Sequence, residues 1–454
     1  MRKIIIAITL LLSTFLAKSQ INIVRYNDNF SYLNNDTFPK KNFEKLKYIP
    51  FSKENNISFG GELREQFQYY HNQNFGDVPV SFAKVSAGQL WQRVMVHTNI
   101  ELGSKLRIFA QVGSTFRFLN PNPTVAEIDE NQLSLHQAFI DYHFQKSWLI
   151  RVGRQEISFA NHRFLTFREG PNTRLAFDAA VIKYYYKSRK IDFFAMSPVI
   201  SKTGVFDDQS LKDVIVGIYA SEKIIPKTFL LDYYFLNLNT DRRRYNYVGG
   251  KENRQSYGFR IFSENSKFNY ELEATYQFGK FNQSTISAFG ISADISYKVI
   301  PANKFIVGIG SNYMSGDKSK NDNRLNTYNL LFAKPQYGLT APIGATNLVN
   351  INPYIKITPT KKSNIYVSSY FMWRQSNQDG TYSPLAVELR PAPALIFTTK
   401  KRIGTLLAME SNYAVNRNLS FAIDASYFFA GGYVKATGKG KDITYLSFKG
   451  TYKF

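Results

Sequence analysis

Residues 268–279 read FNYELEATYQFG. Alternate positions separate cleanly by polarity. Phe268, Tyr270, Leu272, Ala274, Tyr276 and Phe278 form one set; Asn269, Glu271, Glu273, Thr275, Gln277 and Gly279 form the other. A period of two puts the sets on opposite faces of a strand, whereas a helix would mix them around its axis. The apolar face begins and ends in aromatics, as expected where a strand crosses a bilayer between two interfacial girdles. Residues 418–429, NLSFAIDASYFF, repeat the pattern. Leu419, Phe421, Ile423, Ala425, Tyr427 and Phe429 face one way; Ser420, Ala422, Asp424 and Ser426 face the other.

Eighteen such segments follow Asn56, at 56–71, 90–103, 105–119, 133–144, 147–158, 175–187, 189–200, 213–222, 226–238, 254–263, 267–279, 285–299, 303–315, 348–358, 362–375, 401–413, 417–429 and 442–454. Their connections alternate in length. GSK, QKS, KSRK, KIIP, SENS, IPAN, PTKKS and NRN are short. Residues 72–88, 120–132, 240–253, 316–347 and 376–400 are long. Short turns on one side and long loops on the other are the habit of outer-membrane barrels. The expected fold is therefore all-β: a single transmembrane antiparallel barrel of about eighteen strands over 56–454. Both ends then lie on the short-turn, periplasmic side, and the loops at 316–347 and 376–400 fold inward to narrow the pore.

The two termini fit an exported barrel. MRKIIIAITLLLSTFLAKSQ opens with Arg2 and Lys3, continues in an apolar run, and offers Ala17 and Ser19 ahead of a cut before Gln20. That is a signal-peptide layout over 1–19, too short for a membrane span. Its loss removes Arg2, Lys3 and Lys18 and no acid, taking the net charge from +23 to +20. Residues 20–55 are polar and rich in Asn and Lys, a periplasmic lead-in. At the other end, YLSFKGTYKF (445–454) still alternates at its last residue. A barrel has to close its last strand on its first, because an unpaired edge is intolerable in lipid. Phe454 is accordingly expected to serve as a signal for the barrel-assembly machinery.

Composition narrows the chemistry. The chain has 454 residues, 38 Phe and 30 Tyr against 3 Trp, and no Cys. Its mean hydropathy of −0.28 excludes a helical membrane bundle. Without Cys there is no thiolate nucleophile, disulfide or Cys-ligated metal. The five histidines (71, 97, 136, 143 and 162) show no paired metal spacing, and there is no G-x-S-x-G elbow. No metal or cofactor is expected. Carboxylates at Glu127, Asp129 and Glu130, and at Asp207, Asp208 and Asp213, lack calcium-loop spacing and read as solvated loop charge. An exported barrel also argues against nucleic-acid binding.

Eighteen strands enclose a lumen too wide for wall side chains to fill. The face opposite the apolar one lines it. By parity, Arg64, Arg93, Arg107, Arg117, Arg151, Arg260, Lys356 and Arg374 point inward, among acids such as Glu62, Glu101, Asp141, Glu271, Glu273, Asp294, Glu410 and Asp424. Arginine's planar fork grips carboxylates and phosphates. The same residues equally suit arginine–glutamate ladders that brace the wall. The run Arg242–Arg244 falls in a long loop, against lipopolysaccharide phosphates or solvent.

One stretch breaks the alternation: RVGRQEISFANHRFLTFREGPNTRLAFDAAVIKY, residues 151–184. Gly153, Arg154, Gln155 and Glu156 end a strand. Arg168, Glu169, Gly170, Pro171 and Asn172 follow in a loop, then Arg174, then Phe177-Asp178-Ala179. With Ser315-Gly316-Asp317 opening a later long loop, this resembles the alginate export family of outer-membrane barrels. The resemblance implies an eighteen-stranded pore with a basic constriction, in the outer membrane of a Gram-negative bacterium, passing an acidic polysaccharide or other anions. A structural clamp on an inward-folded loop is the other use for these residues. Arg154, on the lipid-facing parity, is expected at the rim or a bulge, or paired with Glu156 or Asp178. The expected protein is a monomeric passive channel, not an enzyme. Its partners are outer-membrane lipid and lipopolysaccharide, the assembly machinery, and an anionic solute or acidic glycan such as alginate. A barrel closed by its own loops, a trimeric porin and a barrel hydrolase are the competitors.

Overall fold

The computed structural model describes residues 22–34, 42–77, 86–119, 129–159, 162–210, 212–264, 266–300, 304–319, 322–334, 337, 342–384, 386–390 and 398–454. The signal-peptide reading of 1–19, and Glu127, lie outside the described residues.

Eighteen antiparallel strands make one closed barrel. In chain order they are β1 (Asn55–His71), β2 (Ala87–Leu102), β3 (Leu106–Phe118), β4 (Asn131–Gln145), β5 (Trp148–Gln155), β6 (Phe177–Tyr186), β7 (Arg189–Ile200), β8 (Val214–Ile225) and β9 (Phe229–Tyr245). The second half comprises β10 (Val248–Phe262), β11 (Phe268–Phe281), β12 (Ser284–Ile300), β13 (Phe305–Met314), β14 (Leu348–Thr360), β15 (Ser363–Arg374), β16 (Arg402–Ala414), β17 (Leu419–Ala430) and β18 (Ile443–Lys453). Each strand pairs with the next. β18 closes on β1 in a register running from Glu62↔Lys453 to His71↔Thr444. Closure removes every edge whose N–H and C=O groups lipid could not satisfy.

Burial is inverted relative to a soluble protein. On β11, Leu272, Tyr276 and Phe278 are exposed, while Glu273, Thr275 and Gln277 are buried. On β1, Leu63, Phe67 and Tyr69 are exposed, while Glu62, Arg64, Gln66 and Gln68 are buried. The apolar face is the lipid face. The polar face is covered by what fills the lumen.

The seam explains why the alternation persists to Phe454. Phe454 and Gly61 exchange backbone hydrogen bonds of 3.0 and 2.8 Å. A Cβ at Gly61 would lie 2.4 Å from the Phe454 ring, so the glycine is the bed on which that aromatic rests.

Two sequence expectations need correction. Residues 240–253 are not a long loop. β9 and β10 continue through them and meet at Asn246-Tyr247, both at positive φ. Arg242 and Arg244 belong to this extended hairpin, paired with Asp213 and Glu388. The polar composition mimicked a loop because the hairpin extends past the apolar band. The strand expected over 147–158 stops at Gln155, where the chain turns into the lumen. Gly153 enables that turn: it adopts φ +127°, and a Cβ there would sit 2.2 Å from the Ala138 carbonyl oxygen.

Candidate functional site: a braced constriction inside the barrel

The chain after β5 crosses the lumen. From Gln155 on one wall it reaches Arg163, whose guanidinium donates to Asn312 Oδ1 on β13 (3.0 Å) and Glu271 Oε1 on β11 (3.1 Å). It returns to β6 at Phe177. The long loop after β13 meets it halfway. Phe332 N donates to Phe164 O (2.8 Å), and Thr166 N to Phe332 O (3.2 Å). Phe159, Phe164, Leu165, Leu330, Leu331 and Ala333 then pack in a shared apolar cluster with wall residues Tyr219, Tyr234 and Leu236. The remaining cavity there is about 10 Å³, room for roughly one water. The described part of the loop after β15 also turns in, burying Tyr382 and Ala386.

The motif that broke the alternation anchors this crossing. Arg93, fully buried, donates to Glu62 from Nε (3.0 Å) and Nη2 (2.8 Å), and to Glu169 Oε1 from Nη2 (2.5 Å). Arg64 donates to the carbonyls of Glu169 and Pro171, both at 3.0 Å, and to Asn172 Oδ1 at 3.3 Å. Arg174 takes Glu156 (2.7 Å) and Glu169 (3.3 Å) and lies over the Phe167 ring. His136 holds the other oxygen of Glu156 at 2.7 Å. Asn172, with no exposed surface, donates to the carbonyls of Gln92, Phe116 and Asp129. Burial opposes the charge of Glu169, but Arg93, Arg174 and Arg64 overcome it and hold its carboxyl well below the usual range.

The other motif residues act at the edge. Arg154 faces outward and grips Asp178 with two bonds (2.8 and 3.0 Å). Gln155 donates to the carbonyls of Gly153 and Ala179. Gly170 is half-buried in the turn. Arg168, at φ +55°, donates to Ala333 O (3.1 Å) and meets no carboxylate among the described residues. Burial, then the nearby Arg243, lowers its pKa to about 9.

Most of the arginines placed inward by parity are occupied. Arg107 and Arg151 share Asp141. Arg260 bridges Asp232 and Glu271. Arg374 donates to four carbonyls of its own loop, those of Asn377, Asp379, Thr398 and Lys400, and stacks on Tyr433. Arg117 is half-buried at the long-loop end, and its charge reaches Asp129. Lys356 is the exception: it is exposed on the inner wall, over Tyr354 and Tyr366, with no ion pair among the described residues. Among the described residues the loop carboxylates form no group of three that could hold a metal, and Asp208 pairs with Lys202 and Asp213 with Arg242.

Sequence reasoning missed three features. Arg254 is fully buried against Glu252 and Gln277 and shares the parity of Arg260, which would have found it. Lys334 is carried into the lumen by the loop after β13, beyond the reach of any strand parity. Part of the lead-in is also inside the barrel. Tyr26 packs on Phe109 and Phe139, lies under the Arg151 guanidinium (4.3 Å), and donates to Glu156 O (2.8 Å).

A closed eighteen-stranded barrel with an apolar outside, a polar inside and an inward constriction loop defines an outer-membrane β-barrel of the porin type. More specifically, the chain belongs to the alginate export family, whose model matches residues 55–446. Among solved structures, Acinetobacter baumannii OccAB1 matches with TM-score 0.60 and 11% identity, over 91% of this chain and 99% of that one. Pseudomonas aeruginosa OccK11 (OpdR) matches with TM-score 0.56 and 10% identity, over 88% and 96%. P. aeruginosa OccK2 (OpdF), solved in complex with glucuronate, matches with TM-score 0.58 and 10% identity, over 88% and 98%. At such identities the likeness is one of fold. No curated protein matches the chain.

Proposed function

We propose that this barrel is a passive outer-membrane channel for small acidic solutes, with uronates and short acidic oligosaccharides as the cargo class. The carrying observation is the charge delivered by the inward-folded loops. Arg168 and Lys334 sit in the lumen and make no ion pair among the described residues, and Lys356, near Lys334, is likewise without an ion pair on the wall. Cations on a constriction favour anions. Burial lowers the Lys334 pKa, Glu410 opposes this, and Arg163 and Lys356 lower it further, so the groups form one electrostatic neighbourhood. Family membership and the glucuronate held by OccK2 agree with this cargo class.

Catalysis is not part of the proposal. Ser158 Oγ and His162 Nδ1 lie 2.5 Å apart, but no carboxylate among the described residues orients that histidine. A barrel closed by its own loops is the second reading, favoured by the apolar packing within the lumen. One recording separates the two. Reversal potential of the purified barrel across a KCl gradient, followed by titration with glucuronate and neutral glucose, is expected to show anion preference and block by glucuronate alone. Cation preference would overturn the cargo class. Silence from a folded barrel would favour the closed one.

A further inference from the structure

We infer that residues 22–34 form a releasable strap that gates the short-turn mouth of the barrel; this rests on the channel reading above. The segment lies against the inner wall of β1–β5. Arg25 spans the closing seam, donating to Gly61 O from Nη1 (2.5 Å) and to Phe454 O from Nη2 (2.9 Å). Tyr26 fills the cage of Phe109, Phe139 and Arg151, and Arg107 donates to its carbonyl (2.9 Å). Arg174, an anchor of the crossing loop, donates to Ile23 O at 3.3 and 3.4 Å. Wall, strap and constriction loop are thereby joined at one point.

The manner of attachment marks a gate rather than a fixed wall element. Residues 22–34 contain three-residue and four-residue 3₁₀ turns and no strand, so they share no ladder with the barrel. Every polar bond just named between strap and barrel uses a side chain on at least one side. Within the strap, Arg25 is neutralised by Asp28 at 2.8 Å, and Asp28 also accepts from Asn22 N at 2.7 Å. The segment therefore carries its own ion pair and turn when it leaves. Its departure breaks no strand pairing and uncovers Arg107 and Arg151 to the lumen.

The test is single-channel recording of the full chain, extracted from the outer membrane, beside Tyr26→Ala and a variant lacking residues 22–34. The deletion removes no strand, so a barrel that shifts on heating in a gel verifies folding even where the point variant fails. The expected result is several-fold higher open probability or conductance in both variants, with brief closures of the parent channel lost. Equal conductance in parent and variants would overturn the strap and leave the channel reading intact. Silence in all three folded barrels would overturn the channel reading, and the gate with it.

Discussion

The two sides of the inner wall use charge in opposite ways. On β1–β5, Arg64, Arg93, Arg107 and Arg151 are each locked to a carboxylate or a loop carbonyl, and the first two are fully buried. Beyond β18, the next four strands of the wall, β14–β17, place Lys356, Tyr366, Glu410 and Asp424 side by side in register. There Lys356 and Glu410 stay exposed, and neither makes an ion pair among the described residues. Both walls obey the same inward parity. The difference lies in what the loops and lead-in lay against them. Arginine density therefore marks the braced side, and the unpaired charge that a passing ion would meet lies on the other.

Removing one cation from each side tests this contrast most severely. Arg93→Ala strips the counter-charge from buried Glu62 and from Glu169, and is expected to cost about 3–5 kcal/mol. Lys356→Ala removes an exposed amine and is expected to cost under about 0.5 kcal/mol. Urea unfolding in detergent, followed by tryptophan fluorescence, compares the two directly. Equal losses would show that the walls do not differ as described.

The converse holds for selectivity. Lys334→Glu and Lys356→Glu are expected to lower the anion-to-cation permeability ratio several-fold while leaving unfolding midpoints unchanged. Arg107→Gln is expected to act chiefly on stability, because Arg107 is committed to Asp141 and the Tyr26 carbonyl. Reversal potentials of the three variants sharpen the comparison, and a larger shift from Arg107 than from Lys356 would reverse it.

A smaller effect concerns the long-loop end. Burial, opposed by the Asn326 backbone N–H and reinforced by Asp379, raises the Asp317 pKa to about 7. Asp379 is raised too, mainly by burial. An acid whose folded pKa exceeds its unfolded value near 3.8 holds its proton more tightly in the folded loop. Its contribution is full at low pH and is lost as pH rises through about 7. Protease nicking of this loop is therefore expected to be slower at pH 5 than at pH 8. Asp317→Asn is expected to flatten that profile.

How much of this was legible in the sequence follows from its physical range. Strand number and facing were readable because a period of two is local and lipid enforces it at every position. Residues 268–279 show this: Phe268, Leu272, Tyr276 and Phe278 of the outer set are exposed, and Glu273, Thr275 and Gln277 of the inner set are buried. The occupants of the inner face were not readable, because Glu62 with Arg93, or Tyr26 with Phe139, meet only through closure and inward folding. The GRQE and REGPN motifs signalled a special loop, yet nothing local tells an arginine that brackets a carbonyl from one that waits for cargo. The lead-in was the least legible: a polar, Asn-rich composition describes a solvated tail and a strap inside a polar lumen equally well.

The smallest expected effect tests whether the bracing extends to the outer surface. Arg154 lies on the lipid-facing parity of β5 yet keeps only 13% of its side chain exposed, because it closes on Asp178 of β6. The pair is bidentate, which favours it over an ordinary surface bridge. It remains partly open to solvent at the end of its strand, which limits its worth to about 1 kcal/mol. Arg154→Ala is thus expected to lower stability slightly and leave conductance and selectivity unchanged. A double-mutant cycle with Asp178→Ala isolates the coupling. A coupling near zero would mean that β5 and β6 are held by their ladder alone and that bracing belongs to the lumen side. A coupling of several kcal/mol, with a changed conductance, would make this outer pair part of the same clamp that Arg93 and Glu169 form within.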